Sequence, residues 1–351
     1  MSRYFSSRYA ALEPYTPGEQ PRDMQYVKLN TNESPFPPSV KAQEKAAQTL
    51  ERLRLYSDPE CTELVRTIAE RYGIGTDEVL FSNGSDEILD FAFMAYCDKE
   101  HPAVFPDITY GFYPVFAEIN CIPSRQIPLK DDFSLDPEDY KAAGGTIFIA
   151  NPNAPTGIAL TREQIGQILS DNPDNVAVID EAYVDFGAES CVPLIHSYEN
   201  LLVIQTFSKS RSLAGARLGF AVGNRELIRD LNTIKYSFNP YNVNSMTMAA
   251  GIGALEDEDY TMQNCRIIQE NREYTVNELK KLGFSMTDSL ANFIFVQHPD
   301  ISGEELYRKL KENGVLIRHF TKERISNYNR ITIGTRQQMD ILLDRIRQIL
   351  S

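Results

Sequence analysis

The sequence predicts an α/β protein, with a large domain built on a mostly parallel sheet covered by helices and a smaller α+β domain behind it. Three observations carry this reading. Short apolar runs recur at Val79–Phe81, Ala103–Phe105, Thr146–Ala150, Val176–Asp180, Leu201–Gln205 and Gly219–Gly223, and strands that are apolar throughout are those buried on both faces. Helical stretches, for example Asp86–Cys97, Arg162–Leu169 and Arg225–Ile234, fall between most of them, the alternation expected of a parallel sheet. After about Asn244 the style changes: long helical runs reach Leu282, followed by strands expected at Asn292–Gln297, Val315–Arg318 and Arg330–Ile333 and a last helix at Arg336–Leu350. The chain therefore divides into an N-terminal arm (residues 1–38), a large domain (39–244) and a small domain (245–351).

The arm is rich in Pro, Gly and Tyr and reads as irregular. Ala42, Ala46, Leu50 and Leu53 form one stripe of a helix expected over Ser39–Leu53. A second helix, Thr62–Tyr72, stops at Gly73, a natural left-handed cap. Two helices open on a capping-box spacing, Thr161 to Gln164 and Thr335 to Gln338. No internal repeat or low-complexity segment interrupts the pattern.

Composition narrows the function. The 351 residues, 42% hydrophobic and 24% charged, suit a well-cored globular chain of about two domains. A formal net charge of −14, with no run of Lys and Arg, argues against nucleic acid as a partner. No stretch approaches the ~18 apolar residues of a membrane span. Met1–Tyr15 carries Arg3, Arg8 and Glu13 and no apolar core, unlike a secretory leader. Five cysteines, odd in number and far apart, fit reduced thiols of a cytoplasmic protein. With no C-x-x-C pair and four scattered histidines, no metal site is expected.

Ligands of α/β sheets gather beyond the carboxyl ends of the strands, and four such ends carry unusual residues. Val176-Ala-Val-Ile-Asp180-Glu-Ala-Tyr183 ends an apolar strand in an acid; a solvated turn explains one such motif about as well as a site does. The next strand ends in Thr206-Phe-Ser208-Lys209, with Arg217 eight residues beyond the lysine. A lone Ser-Lys is usually surface, but a guanidinium fork beside hydroxyls suits a phosphate. Ser82-Asn-Gly84-Ser85-Asp86 turns from a strand into a helix whose first N–H groups attract phosphate, although such helix starts are common. Asn151-Pro-Asn153-Ala154-Pro155-Thr-Gly157 is a stiff turn that invites a cis X-Pro bond.

Together, and in this order, these elements resemble the fold-type-I pyridoxal-phosphate-dependent aminotransferases. The pattern is most similar to the histidinol-phosphate aminotransferase family, through Leu12-Glu-Pro-Tyr15, Lys28-Leu-Asn-Thr-Asn32-Glu-Ser-Pro35, Leu213-Ala-Gly-Ala-Arg217-Leu-Gly, Tyr241-Asn-Val-Asn-Ser245 and Arg330-Ile-Thr-Ile-Gly-Thr335. The resemblance implies pyridoxal 5'-phosphate as cofactor, Lys209 as its attachment point and proton carrier, Asp180 as partner of the ring nitrogen, and Tyr183 as partner of the ring's phenolic oxygen. It implies a phosphate cradle of Gly84, Ser85, Asp86, Thr206, Ser208 and Arg217, with Tyr110 stacked on the ring. It also implies that Tyr56 is lent to the phosphate site by the neighbouring subunit of a homodimer. Many relatives carry Asn directly before the Pro of Pro-Thr-Gly; Ala154 stands there, and Asn153 is expected to take over its contact.

For substrate, the resemblance pairs Arg318 and Arg330 as anion readers, with Asn32 and Tyr15 beside them. One pocket must serve two donors, an amino alcohol phosphate and glutamate, and arginine forks suit both anions. An aromatic aminotransferase or a threonine-phosphate decarboxylase shares much of this pattern. A non-catalytic pyridoxal-phosphate-binding regulator would carry an added DNA-binding segment, and no basic helix-turn-helix precedes Tyr15.

Overall fold

The structure, a computed structural model, describes residues 2–10 and 12–351. The arm contributes β1 (Val27–Lys28), followed by α1 (Val40–Ala47) and α2 (Thr62–Tyr72). The large sheet is assembled from β2 (Val79–Ser82), β3 (Ala103–Pro106), β4 (Ser124–Ile127), β5 (Thr146–Ala150), β6 (Ala177–Asp180), β7 (Leu201–Thr206) and β8 (Gly219–Gly223). Between and after these strands run α3 (Ser85–Tyr96), α4 (Phe112–Ile119), α5 (Arg162–Ser170), α6 (Arg225–Phe238), α7 (Ser245–Leu255) and α8 (Glu258–Lys281). The remainder holds β9 (Ser285–Met286), β10 (Phe293–Gln297), α9 (Gly303–Glu312), β11 (Val315–Leu316), β12 (Arg318–His319), β13 (Asn329–Thr332) and α10 (Arg336–Leu350).

The large sheet has the order β2-β8-β7-β6-β5-β3-β4. Only β8 runs against its neighbours; the pairs from β7 to β4 are parallel. The expected mostly parallel sheet is therefore present, and its two faces fill separate cores, one against α2, α5 and α7 and the other against α3, α4 and α6. Every residue of β5, β6, β7 and β8 is buried, which is why those segments read as continuous apolar runs. Both expected capping boxes are formed, and Gly73 closes α2 at φ 66°.

Several expectations need correction. The helix expected over Ser39–Leu53 stops at Ala47 and resumes as a short 3-10 turn at Leu50–Arg54. β4 and α4 escaped notice because β4, Ser-Arg-Gln-Ile, is a sheet-edge strand with three exposed residues, and α4 is apolar with a proline inside it. That Pro114 falls in the first turn, where its missing N–H costs nothing. α9 was also missed, although Ser302 accepts from the N–H of Glu305 in a legible helix-start pattern. Finally, α7 follows Asn244 yet buries Ala250, Ile252, Ala254 and Leu255 in the large sheet's core. The two cores part between α7 and α8, not at residue 244.

The arm is tied into the small domain. β1 pairs parallel with β11, Leu29 N–H donates to Leu316 at 2.8 Å, and Thr332 N–H donates back to Leu29 at 2.9 Å. The antiparallel sheet β12-β13-β10-β9 lies beyond it. Residues 27–32 thus pass from the small domain to the ends of the large sheet.

Candidate active site

The carboxyl ends of β5, β6 and β7 open into a cavity of about 190 Å³ lined by Asp180, Tyr183, Thr206, Ser208, Lys209, Tyr110, Ser85, Asp86 and Arg217. Asp180 is the last residue of β6, 5% exposed. It accepts from Ala182 N–H at 3.2 Å and from the Tyr113 hydroxyl at 3.3 Å. Burial first, then the charge of Asp86, pushes its pKa up to about 7. An acid so placed, with no cation of the protein paired to it among the described residues, favours a cationic ligand group. Tyr113 was not foreseen; it is fully buried.

Opposite lies an anion cradle. Gly84 holds φ 88°, and a Cβ there would lie 2.7 Å from an Arg217 nitrogen. A Cβ on Gly219 would lie 2.5 Å from Ser85 N, so both glycines permit the close approach of β8 to the start of α3. No side chain caps α3, leaving its first N–H groups for an anion. Arg217, itself at φ 56°, a conformation costing roughly 1–2 kcal/mol for an L-residue, is 3.0 Å from Asp86. Asp86 also accepts from the Tyr110 hydroxyl at 2.7 Å. Thr206 Oγ1 and Ser208 Oγ stand 3.0 Å apart. Lys209 Nζ reaches the carbonyl of Thr31 at 3.5 Å and lies 5.7 Å from the Tyr183 ring centre.

Two expected ligand residues do other work. Asn153 does not line the cavity: its amide donates to the Ile108 carbonyl at 3.0 Å and Thr156 Oγ1 at 3.1 Å, and its oxygen accepts from Thr109 at 2.8 Å. With its side chain committed to the loop after β3 and to Thr156, it is not placed to replace the missing asparagine, and Ala154 is the neighbour that lines the cavity. Both prolines of this turn follow cis peptide bonds, at Asn151-Pro152 and Ala154-Pro155. Asn32, 1% exposed at φ 56°, donates to the Tyr183 hydroxyl at 3.0 Å. It exchanges bonds with Thr332 at 2.9 and 3.0 Å. It positions Tyr183 and lines neither cavity. Thr31 and Glu33 line the cavity unforeseen; hydrogen bonds from Lys28 and Thr31 outweigh burial and lower the pKa of Glu33.

A second cavity of about 280 Å³ shares Tyr110 and Ala154 with the first. Tyr15, Phe320, Arg318 and Arg330 line it, and Tyr15 stacks on Phe112 at 4.2 Å. Arg318 and Arg330 are direct cross-strand partners in β12 and β13. Like charges directly opposite one another are destabilising, yet neither has a carboxylate within 4.0 Å among the described residues. Arg330 donates to the Asn30 carbonyl at 3.1 Å, and its buried Nε has no partner. Tyr56 lines neither cavity of its own chain: it is 83% exposed and stacked on Tyr241 at 4.6 Å.

An anion cradle, a buried acid across from it and a lysine between them, at the strand ends of such a sheet, define a fold-type-I pyridoxal-phosphate transferase. The chain belongs to the aminotransferase class I and II family, whose model matches residues 24–346. Within it, the chain is 49% identical over its whole length to the histidinol-phosphate aminotransferase of Brachyspira hyodysenteriae, covering 99% of that protein. It is likewise 49% identical to the histidinol-phosphate aminotransferase of Clostridium botulinum strain Kyoto, again covering 99%. The crystal structure of histidinol-phosphate aminotransferase from Sinorhizobium meliloti in complex with pyridoxal-5'-phosphate superposes with a TM-score of 0.84 at 23% identity, covering 92% of this chain and 91% of that one. At that identity the likeness is one of fold.

Proposed function

We propose that this aminotransferase moves an amino group between histidinol phosphate and 2-oxoglutarate with pyridoxal 5'-phosphate, as a step of histidine biosynthesis. The single observation that carries the substrate assignment is the unpaired arginine couple, Arg318 opposite Arg330, in a cavity that adjoins the cofactor site at Tyr110 and Ala154. The end-to-end similarity to histidinol-phosphate aminotransferases supports it.

The cavity residues fit the cofactor on its own chemistry: a cradle for its phosphate, Asp180 for its ring nitrogen, Lys209 for its aldehyde. When bound, the cofactor withdraws electrons from the substrate's amine-bearing carbon. The protein does the rest. The Asp180 carboxylate, short of a cation, holds a proton on the ring nitrogen by charge. Lys209, which lines the cavity, would hold the cofactor's aldehyde and could carry a proton from the substrate carbon. Tyr183, fixed by Asn32, would offer its hydroxyl to the cofactor's phenolic oxygen, and Tyr110 would pack against the ring. Arg330 and Arg318 hold the far anion of either donor, phosphate or carboxylate, as forks that match both.

We further propose a homodimer in which each Tyr56 completes its neighbour's phosphate site. The exposed apolar surface of Leu50, Leu53, Leu55, Tyr56, Phe238 and Tyr241 supports this, since such surfaces mark association. No helix among the described residues is long and apolar enough to cross a membrane, and a cytoplasmic location fits the thiols, four of them buried. The decisive test is a half-reaction: histidinol phosphate mixed with the holoenzyme should bleach the aldehyde-form absorbance and raise that of the amine form. Bleaching by tyrosine or phenylalanine, without response to histidinol phosphate, would move the substrate to the aromatic branch.

A further inference from the structure

Three cations line the outer cavity, and two have been given a task. The third is Lys322, on the loop between β12 and β13. Its amine donates to the backbone carbonyl of Asp107, another lining residue, at 2.5 Å. No carboxylate among the described residues lies within 4.0 Å of it. The natural partner would be the Asp107 side chain, the one acid in this lining. That carboxylate is already committed: one oxygen accepts from Leu129 N–H at 2.9 Å and the other lies 3.2 Å from Arg324. Arg324 is held in place by the carbonyls of Leu129, at 2.7 Å, and Lys130. Arg324 therefore cancels Asp107, and the charge of Lys322 stands uncancelled at the rim.

We propose that Lys322 is a specificity-determining residue that reads the additional negative charge of a phosphate, separating a phosphate-bearing amine from a carboxylate-bearing one. The inference rests on the two-donor reaction proposed above. A carboxylate brings one charge and two oxygens, a set that two guanidinium forks already satisfy. A phosphate monoester brings a charge of about −1.5 to −2 and three acceptor oxygens. The surplus charge and the third oxygen call for one more cation. A lysine suits this position because its ammonium is a compact charge on a flexible stem. Resting on a neutral carbonyl, it can turn inward for the longer donor and stay where it is for the shorter one.

The test compares wild-type holoenzyme with Lys322→Met and Lys322→Arg. KM is measured for histidinol phosphate and for glutamate, and inhibition constants for inorganic phosphate and for glutarate. Lys322→Met should raise both phosphate values about tenfold, the loss of one charge-assisted bond, and move both carboxylate values less than about twofold. Lys322→Arg should recover most of the loss. Arg324→Gln should shift the phosphate values in the same direction, because Asp107 becomes free to neutralise Lys322. Equal changes for both anion types, or wild-type values in Lys322→Met, would overturn the proposal. A wild-type enzyme that does not turn over histidinol phosphate would instead overturn the reading beneath it.

Discussion

The two cavities share a wall but treat charge in opposite ways. In the inner one, the strand-end cavity, Arg217 is paired with Asp86, which also holds Tyr110, so most of the cradle is neutral before any ligand arrives. In the outer one, Arg318, Arg330 and Lys322 all lack a carboxylate of the protein among the described residues. The inner cavity is built to keep one ligand through many cycles, and internal pairing holds its side chains in place between them. On the function proposed above, the outer cavity would accept and release different anions each cycle, its countercharge coming from the substrate.

That contrast can be broken most severely at Lys209. Lys209→Ala should abolish turnover while the fold persists, and borohydride should fix the cofactor to the Lys209 peptide of the wild type alone. A label on another lysine would end the assignment. Asp180→Asn comes next, with turnover expected to fall by orders of magnitude. It should also stabilise the cofactor-free protein. The folded pKa of Asp180, about 7, lies above the unfolded value of about 3.9. The acid therefore ionises more readily unfolded, and cofactor-free wild type loses stability as pH rises from about 4 to 7. The loss is on the order of 4 kcal/mol when complete. Denaturant melts should find cofactor-free Asp180→Asn the more stable at pH 8, the gap closing toward pH 4. A gap independent of pH would mean that Asp180 is not the titrating group.

The outer cavity should respond in smaller steps. Arg330→Ala should weaken both donors by about 10- to 150-fold, the cost of a charge-assisted pair. Arg318→Ala should weaken the phosphate donor more than glutamate. Arg330→Lys should recover only part, since a point charge is not a fork. Measuring kcat/KM for each donor checks all three, and equal, small losses for an uncharged aromatic amine and for histidinol phosphate would show that these arginines do not read the anion. The smallest functional effect is expected at Asn153→Ala. The loop would lose hydrogen bonds, lowering stability by about 1–3 kcal/mol, while the cofactor absorbance stays unchanged. A shifted absorbance would return Asn153 to the inner cavity.

Much of this site was legible in the sequence, for a physical reason. Asp180, Tyr183, Thr206, Ser208 and Lys209 follow strands apolar throughout, so both the strand and its end announce themselves, and the structure gathers them in one cavity. Arg318 and Arg330 likewise meet in the outer one. What escaped depends on partners distant in the chain or on the turn of one side chain. Asn32 could be placed near the site but not assigned to Tyr183, because Thr332, which locks it, lies 300 residues away. Nothing in Asn153-Ala154 says which of two neighbours faces inward. The division at Asn244 failed because α7 is apolar nearly all round, and such a helix belongs to whichever core surrounds it.

The junction of β1 with β11 has a consequence for how the protein is made. All seven strands of the large sheet have left the ribosome once Gly223 has emerged, and that sheet can form early. The partners that Val27–Leu29 and Asn32 find between Gly314 and Thr332 are synthesised long after that sheet. Through most of its synthesis the nascent chain can therefore hold the cradle and Lys209 while Tyr183 waits for the contact that fixes it. Residues 27–32 thus find their place long after they are made.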